Sequence, residues 1–237
     1  MHLFYQPNVR QRQLEGEEAR HCAKVLRLGP ADIIWVTDGK GKLYKASLTQ
    51  VKEKLVQYTI LETLPVSTRP YKVSMVIAPT RKAERNEWMV EKMVELGVDE
   101  IHFVLTEHTH HESVRRVVNQ ERLERIAVAA MKQSQQVMVP DIQVYNDFGK
   151  YLSACQQTNR FIAYVTDTDI PPHLLKQIDP GRDIVVLIGP EGDFSQEEIE
   201  QAMAAGFRPV SLGETRLRTE TAAVMACHSA HLAQLIY

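Results

Sequence analysis

Strand-like and helix-like segments alternate from Tyr71 to the end of the chain, and this alternation restricts the fold more than any other feature. Segment 71–79 (YKVSMVIAP) is apolar and β-branched, as in a buried strand. Segment 82–97 has apolar residues at helical spacing and ends at Gly97, a residue typical of helix C-termini. Its predicted apolar face comprises Trp88, Met89, Met93 and Leu96. The alternation continues through strands at 98–107, 160–167, 183–189 and 208–213. It predicts an α/β fold with a mostly parallel sheet that helices cover on both faces.

The first part of the chain has a different pattern and a different charge. Segments 32–39, 43–51 and 54–64 are strand-like, and the first two are joined by glycine-containing turn residues, which predicts a small β-barrel. Residues 1–72 contain 12 Lys and Arg against 7 Asp and Glu, a balance of +5, whereas the remainder has 16 against 23, a balance of −7. A basic unit on an acidic one favours a nucleic-acid-binding arm, and chance imbalance on a solvated surface is the alternative.

Composition narrows the class of protein further. Hydrophobic residues make up 44% of the 237 residues, enough for a sizeable core, and no apolar run reaches the length of a membrane-spanning helix. The three cysteines, Cys22, Cys155 and Cys227, are far apart and odd in number, which is typical of reduced thiols. The amino-terminal residues lack a signal-peptide pattern. We therefore expect a cytoplasmic protein with no membrane partner.

The stretch LIGPEGDFSQEEIE (187–200) predicts a buried strand, a tight turn and a helix. Ser195 and Glu198 have the spacing of a capping box, which fixes where the helix begins. Ligands of open α/β sheets bind at the carboxyl ends of strands, where this turn lies. It lacks the Lys-Ser/Thr of a phosphate loop, and Glu191 and Asp193 would repel a pyrophosphate. S-adenosylmethionine, with a sulfonium cation and no phosphates, suits it better. An ordinary turn between a strand and a helix is the alternative.

A second strand–glycine turn–helix follows about 20 residues later in SLGETRLRTETAAVMA (211–226). Arg216 and Arg218 lie at its mouth beside Glu220. These charges fit a group that holds an anion beside a catalytic pocket, and they equally fit a weak surface ion pair.

The two turns resemble the carboxyl-terminal signature of the SPOUT methyltransferase superfamily, and most closely that of the RsmE family of 16S ribosomal RNA uracil-N3 methyltransferases. Three further segments resemble the family in the same order: H-x-x-K-V-L-R-L (21–28), RKAERNEWMVEKMVELGVDEI (81–101) and ERLERIAVAAMKQSQQVMVPDI (121–142). The resemblance implies an amino-terminal PUA-like RNA-binding β-barrel (1–68) and a carboxyl-terminal α/β trefoil-knot domain (69–237), with the last helix threaded through a loop.

The resemblance also implies an activity. Such an enzyme transfers a methyl group from S-adenosylmethionine to N3 of a uridine in 16S ribosomal RNA, uridine 1498 in this family. The expected partners are 16S rRNA or the assembled small ribosomal subunit, and a second copy of the chain in a homodimer with each site near the subunit interface. No metal is needed.

Site residues follow from the two turns and the resemblance. Arg218 is the predicted catalytic residue that holds the uridine base or its phosphate, and Glu220 is predicted to orient Arg218 or to accept the proton. Glu191 is predicted to brace the first turn by accepting backbone N–H groups. The predicted cofactor-binding residues are Thr166, Ile188, Gly189, Pro190, Glu191, Gly192, Ser211, Leu212, Gly213, Leu217, Arg218 and Thr221. The predicted RNA contacts are Arg10, Arg12, Arg20, Lys24 and Arg27, each of which is otherwise a solvated surface charge.

Some positions depart from the family pattern. Asp193 stands where glycine is frequent, segment 106–113 (TEHTHHES) replaces the usual Glu-Arg-Ser, and segment 131–136 (MKQSQQ) lacks an arginine. The histidines of 106–113 and their acidic neighbours have no zinc spacing, which favours a polar loop over a metal site. Two alternatives to the methyltransferase stay open: a non-catalytic RNA-binding ribosome-assembly factor on the same fold, and a nucleotide-using doubly wound enzyme.

Overall fold

The computed structural model describes residues 2–65, 69–109, 114–166 and 170–236. The chain divides into two compact units, Met1–Thr68 with Val128–Val139 and Arg69–Ala127 with Pro140–Tyr237. Val128–Val139 therefore packs with the first unit, whereas the domain bounds implied by the family resemblance (69–237) include it in the second. The reason is long-range pairing: Val137 O accepts from Gly41 N at 3.0 Å and from Thr37 Oγ1 at 3.2 Å.

The first unit is built on a curled five-stranded mixed sheet. Its strands are β1 (Leu3–Tyr5), β2 (Gln13–Glu15), β3 (Ile33–Thr37), β4 (Lys42–Lys52) and β5 (Leu55–Pro65), in the order β1-β3-β4-β5-β2. β1 and β3 run parallel, and the other strand pairs described in this sheet are antiparallel. Two register shifts between β4 and β5 increase the local bend of the strands.

The outcome of this curl is a half-barrel. Within the described residues, β1 and β2 each pair on one side only, so the sheet keeps two edges. Helix α1 (Gly16–Arg20) continues into a turn of π-helix, His21–Val25. The core includes Phe4, Leu14, Ile34 and Leu48, all at most 2% exposed. The predicted PUA-like β domain is confirmed.

The second unit contains a six-stranded, all-parallel sheet with helices, which confirms the predicted α/β fold. Its strands are β6 (Val73–Ile77), β7 (Glu100–Val104), β8 (Asp141–Tyr145), β9 (Asn159–Ala163), β10 (Ile184–Ile188) and β11 (Arg208–Val210), in the order β11-β9-β10-β6-β7-β8. Every residue of β6 and β10 is buried, as expected for central strands covered on both faces.

Helices lie between and after these strands, and those in the described residues are α2 (Ala83–Leu96), α3 (Val114–Val117), α4 (Gln120–Gln133), α5 (Phe148–Ala154), α6 (Gln196–Ala204) and α7 (Thr219–Ile236). The end of α2 at Gly97, in the left-handed conformation (φ 92°), is confirmed. Met89 and Met93 are buried as predicted, but Trp88 is 44% exposed, so its assignment to the apolar face was wrong.

The last helix, α7, packs against α2, β6, β10 and the short 3₁₀ turn Leu174–Lys176. Its alanines let it lie close to these neighbours, and Cys227 is fully buried within it. Burial raises the pKa of the Cys227 thiol to about 12. The threading of α7 through a loop stays a prediction. No helix in the described part of the chain is long and apolar enough to cross a bilayer.

Candidate active site

A cavity of about 860 Å³ lies in the second unit at the carboxyl ends of β9, β10 and β11. This edge of a parallel sheet is where ligands of α/β proteins bind. Both glycine turns line it. The lining residues are Arg85, Ala163, Tyr164, Val165, Thr166, Ile170, Pro171, Ile188, Gly189, Pro190, Glu191, Gly192, Asp193, Val210, Ser211, Leu212, Gly213, Glu214, Thr215, Arg216, Leu217, Arg218, Thr219 and Ala222.

The first turn, which follows β10, is closed by a hydrogen bond from Asp193 N to Pro190 O at 3.0 Å. Asp193 adopts a left-handed conformation with φ 63°, which explains why glycine is also compatible with this position. Its carboxylate accepts from Phe194 N and from Val165 N, each at 2.8 Å. Asp193 thereby joins the turn to the loop that follows β9. The bracing of this turn through backbone N–H groups was predicted for the carboxylate of Glu191, and in the structure the carboxylate of Asp193 accepts such groups.

Packing explains the glycine at the start of this turn. A methyl group at Gly189 would lie 3.0 Å from Asp193 Oδ1 and 3.1 Å from a ring carbon of Phe194. Both distances are tighter than ordinary contact, so a side chain here would displace the Asp193 carboxylate. At Gly192 the nearest atom, the Cβ of His108, would lie 3.4 Å away, an ordinary contact.

The loop after β7 supports the same turn from another side. His108 Nδ1 donates to Asp193 O at 2.9 Å, and this hydrogen bond raises the pKa of His108. Glu198 Oε1 accepts from Glu107 N at 2.8 Å, while its other oxygen completes the capping box with Ser195, which confirms the predicted start of α6. The turn is thus fixed by two neighbouring loops and by the helix that follows it.

The second turn, which follows β11, is linked to the first by one buried hydrogen bond. Thr219, the first residue of α7, donates through Oγ1 to Gly189 O at 3.1 Å and is 5% exposed. Gly213 has φ 134°, a conformation that favours glycine, and its N–H donates to Ser211 Oγ at 3.1 Å. The two turns therefore form one structure around the cavity.

A chain of charged groups crosses the cavity wall. Arg85, near the start of α2, donates through Nη1 to Glu191 Oε1 at 3.0 Å, and its Nε lies 3.5 Å from Glu220 Oε1. Glu220 is 8% exposed, and its Oε2 has no hydrogen-bond partner among the described residues. The carboxylate predicted to orient Arg218 lies beside Arg85 instead. The Arg218 side chain is exposed at the cavity and has no ion pair with a described residue.

Most of the predicted cofactor residues come together in this cavity. Thr166, the first-turn residues 188–192 and the second-turn residues Ser211, Leu212, Gly213, Leu217 and Arg218 all line it. Thr221 and Glu220 lie outside the lining. Sequence reasoning missed Arg85, Thr219 and the bracing role of Asp193. Arg85 was detectable in principle, because α2 follows β6 at the same carboxyl edge of the sheet.

The predicted RNA contacts all lie in the first unit, and all five are exposed. Lys24 pairs with Glu53 at 2.7 Å, so part of its charge is compensated. Arg12 and Arg27 have left-handed backbone conformations, with φ 53° and 54°.

In the described ranges, no group of three or more His, Cys, Asp or Glu side chains could hold a metal ion. His110, His111 and Glu112 of the polar segment lie outside the described residues.

Known proteins resemble this chain along most of its length. A family model for an RNA methyltransferase domain matches residues 67–231, and a model for an RNA methyltransferase PUA domain matches residues 14–61. Ribosomal RNA small subunit methyltransferase E of Synechocystis sp. is 30% identical over 217 residues, covering 90% of this chain and 70% of the relative.

Solved structures agree. The probable rRNA-methyltransferase of Porphyromonas gingivalis is 40% identical over the whole of both chains, with a TM-score of 0.92. Ribosomal RNA small subunit methyltransferase E of Neisseria gonorrhoeae, solved bound to S-adenosyl methionine, is 28% identical over 98% of this chain and 97% of that one, with a TM-score of 0.84.

Proposed function

Because the chain belongs to the ribosomal RNA small subunit methyltransferase E family, we propose that it transfers a methyl group from S-adenosylmethionine to N3 of a uridine in 16S ribosomal RNA, by family resemblance uridine 1498. The observation that carries the proposal is the cavity at the carboxyl ends of three parallel strands, where both glycine turns are joined by the Thr219–Gly189 hydrogen bond. The same family's enzyme from Neisseria gonorrhoeae was solved with this methyl donor.

The residues around the cavity fit the donor. The apolar side chains of Ile188, Leu212 and Leu217 suit an adenine ring, and the backbone of both turns borders the same space. The wall carries both acidic and basic side chains, which suits a zwitterion that has a sulfonium, an ammonium and a carboxylate. When bound, S-adenosylmethionine supplies a methyl group that is already activated by its positively charged sulfur. We assign the cofactor site to the turn residues named above, with Thr166.

Uracil N3 carries a proton, which must leave if the nitrogen is to attack carbon. Arg218 lines the cavity, and its proposed role is to contact the uridine base or a neighbouring phosphate, where a guanidinium stabilises the negative charge that develops as the proton leaves. Glu220 is 8% exposed and lies beside Arg85. This burial favours a positioning role for Glu220, through Arg85, over direct proton acceptance.

The first unit is proposed to bind the RNA through Arg10, Arg12, Arg20, Lys24 and Arg27. The substrate is 16S rRNA or the assembled small subunit, in the cytoplasm. We also propose a homodimer, which is supported by exposed apolar side chains on α2 and α7: Trp88 is 44%, Met225 42%, Leu235 83% and Ile236 54% exposed.

The test is methylation of 16S rRNA and of small subunits from cells that lack the gene, with 3-methyluridine measured by mass spectrometry of the digested RNA. The parent protein is expected to form it. Arg218→Ala is expected to lower the rate about 100-fold, as loss of a charge-stabilising donor does. Arg182→Ala is the matched control, because Arg182 is exposed beside the amino-terminal end of β10, at the opposite edge of the sheet.

Two results would contradict this proposal. If Arg218→Ala methylates RNA at the parent rate, the role of Arg218 is wrong. If the parent binds RNA but neither binds S-adenosylmethionine nor forms 3-methyluridine, the chain is a non-catalytic assembly factor on this fold.

A further inference from the structure

Two arginines, one just before α2 and one in its first turn, share one carboxylate at the cavity. Arg85 Nη1 lies 3.0 Å from Glu191 Oε1, and Arg81 Nε lies 3.9 Å from Glu191 Oε2. The Glu191 side chain is 44% exposed and that of Arg81 is 62% exposed, so this group is open to solvent. An exposed ion pair of this kind contributes little to stability and is easily exchanged.

Arg85 is held independently of Glu191. Its Nε lies 3.5 Å from Glu220 Oε1, and the Glu220 side chain is only 11% exposed. If Glu191 moves away, Glu220 still orients the guanidinium of Arg85, with Nη1 directed to where the Glu191 carboxylate had been. The Glu220 carboxylate thus keeps the Arg85 guanidinium oriented to donate hydrogen bonds to an anion.

Glu191 is free to move without disrupting the turn that carries it. The backbone N–H groups of the turn and of the neighbouring loop are accepted by the carboxylate of Asp193, at 2.8 Å each. In the described residues, the ion pairs of Glu191 are those with Arg81 and Arg85. The Glu191 side chain is therefore not needed to hold the turn, and its displacement would leave the turn intact.

We propose that Arg81 and Arg85 form a binding site for a phosphodiester of the substrate RNA, and that Glu191 occupies this site as an internal anion until the RNA displaces it. This inference rests on the proposed function, since it concerns the substrate of the same cavity. A carboxylate and a phosphate offer a guanidinium the same arrangement of two oxygens, so one can replace the other. A phosphate bound here lies at the mouth of the cavity, beside a uridine turned towards it.

The experiment measures binding without methyl donor, by filter retention of 16S rRNA transcript and of small subunits from cells that lack the gene. The variants are Glu191→Gln, Arg81→Gln with Arg85→Gln, and all three changes together. Glu214→Gln is the charge-matched control, because Glu214 also lines the cavity and has no ion pair with a described residue. Titration with S-adenosylmethionine on each variant reports separately on the cofactor site.

Glu191→Gln is expected to bind RNA about two- to fivefold more tightly than the parent, a gain of the size expected when an exposed ion pair is removed. Glu214→Gln is expected to raise the RNA affinity by less than Glu191→Gln does. With both arginines replaced, RNA binding weakens, and the slope of log K against log salt flattens by about 0.7 for each phosphate that the protein no longer neutralises. In the protein that lacks both arginines, Glu191→Gln is expected to raise the RNA affinity no more than Glu214→Gln does.

Equal gains from Glu191→Gln and Glu214→Gln, or parent-like RNA binding after both arginines are replaced, would overturn the exchange. If Arg85→Gln prevents folding, Arg81→Gln with Glu191→Gln makes the same test, because Arg81 is largely exposed. Failure of the parent to bind S-adenosylmethionine would count against the proposed function instead, and the RNA measurements would still decide this inference.

Discussion

Asp193 holds the first glycine turn, and three substitutions there separate its two contributions. Its left-handed backbone (φ 63°) costs a residue with a Cβ about 1–2 kcal/mol unless the side chain compensates. Its carboxylate accepts two backbone N–H groups at 2.8 Å, and hydrogen bonds to a charged group contribute about 1.5–3 kcal/mol each when buried. Both values are upper bounds here, because the Val165 bond is exposed.

Asparagine keeps an acceptor and tolerates the left-handed conformation, so Asp193→Asn should lower the free energy of unfolding by about 0.5–1 kcal/mol. Asp193→Gly loses both hydrogen bonds without the steric cost, for a total of about 1–2 kcal/mol. Asp193→Ala loses the bonds and keeps the steric cost, for about 2–4 kcal/mol. Since the turn borders the cavity, the affinity for S-adenosylmethionine should fall in the same order, at least fivefold for alanine.

Urea unfolding followed by circular dichroism gives the stabilities, and calorimetric titration gives the affinities. An alanine variant as stable as the glycine variant would refute the conformational argument. An asparagine variant less stable than the glycine variant would refute the hydrogen-bond argument.

Three further substitutions test other contacts of the site and its unit. Gly189→Ala places a methyl group 3.0 Å from Asp193 Oδ1, and this overpacking should cost about 1–3 kcal/mol of stability by urea unfolding; parent-like stability and affinity would contradict it. Thr219→Val removes the hydrogen bond to Gly189 O and should cost about 1 kcal/mol and weaken cofactor binding, whereas Thr221→Val serves as the control outside the cavity lining. Burial and the charge of Arg69 lower the pKa of His231 to about 4 in the folded protein, whereas the histidine of the unfolded chain takes up its proton near pH 6.5. The free energy of unfolding of the parent should therefore fall by up to about 3 kcal/mol as the pH is lowered from 6.5 to 4. His231→Gln should lose less over this window, and an equal loss would show that His231 does not carry the effect.

Local patterns in the sequence were sufficient to predict several helices and strands of the second unit. Helix α2 and its Gly97 terminus, the capping box at Ser195 and the strand β10 each follow from neighbouring residues. Both glycine turns were found for the same reason, since the strand, turn and helix are contiguous in the chain. The parallel sheet then places the ends of β10 and β11 at one edge.

Contacts between residues far apart in the chain could not be predicted from local patterns. Val128–Val139 joins the first unit through pairing with residues about 100 positions earlier, which no local pattern encodes. Glu220 also pairs with Arg85, which lies far away in the chain, because α2 and α7 pack together. Trp88 has helical spacing with Met89 and Met93 but lies outside the buried face. Apolar periodicity alone does not define the width of that face.

The two glycine turns together are proposed to hold the methyl donor. A crystal structure of the protein with S-adenosylmethionine tests it most directly. Electron density for the donor is expected between residues 188–192 and 211–218, with the Thr219–Gly189 hydrogen bond intact. Density for the donor elsewhere on the chain, with this cavity holding only solvent, would contradict it.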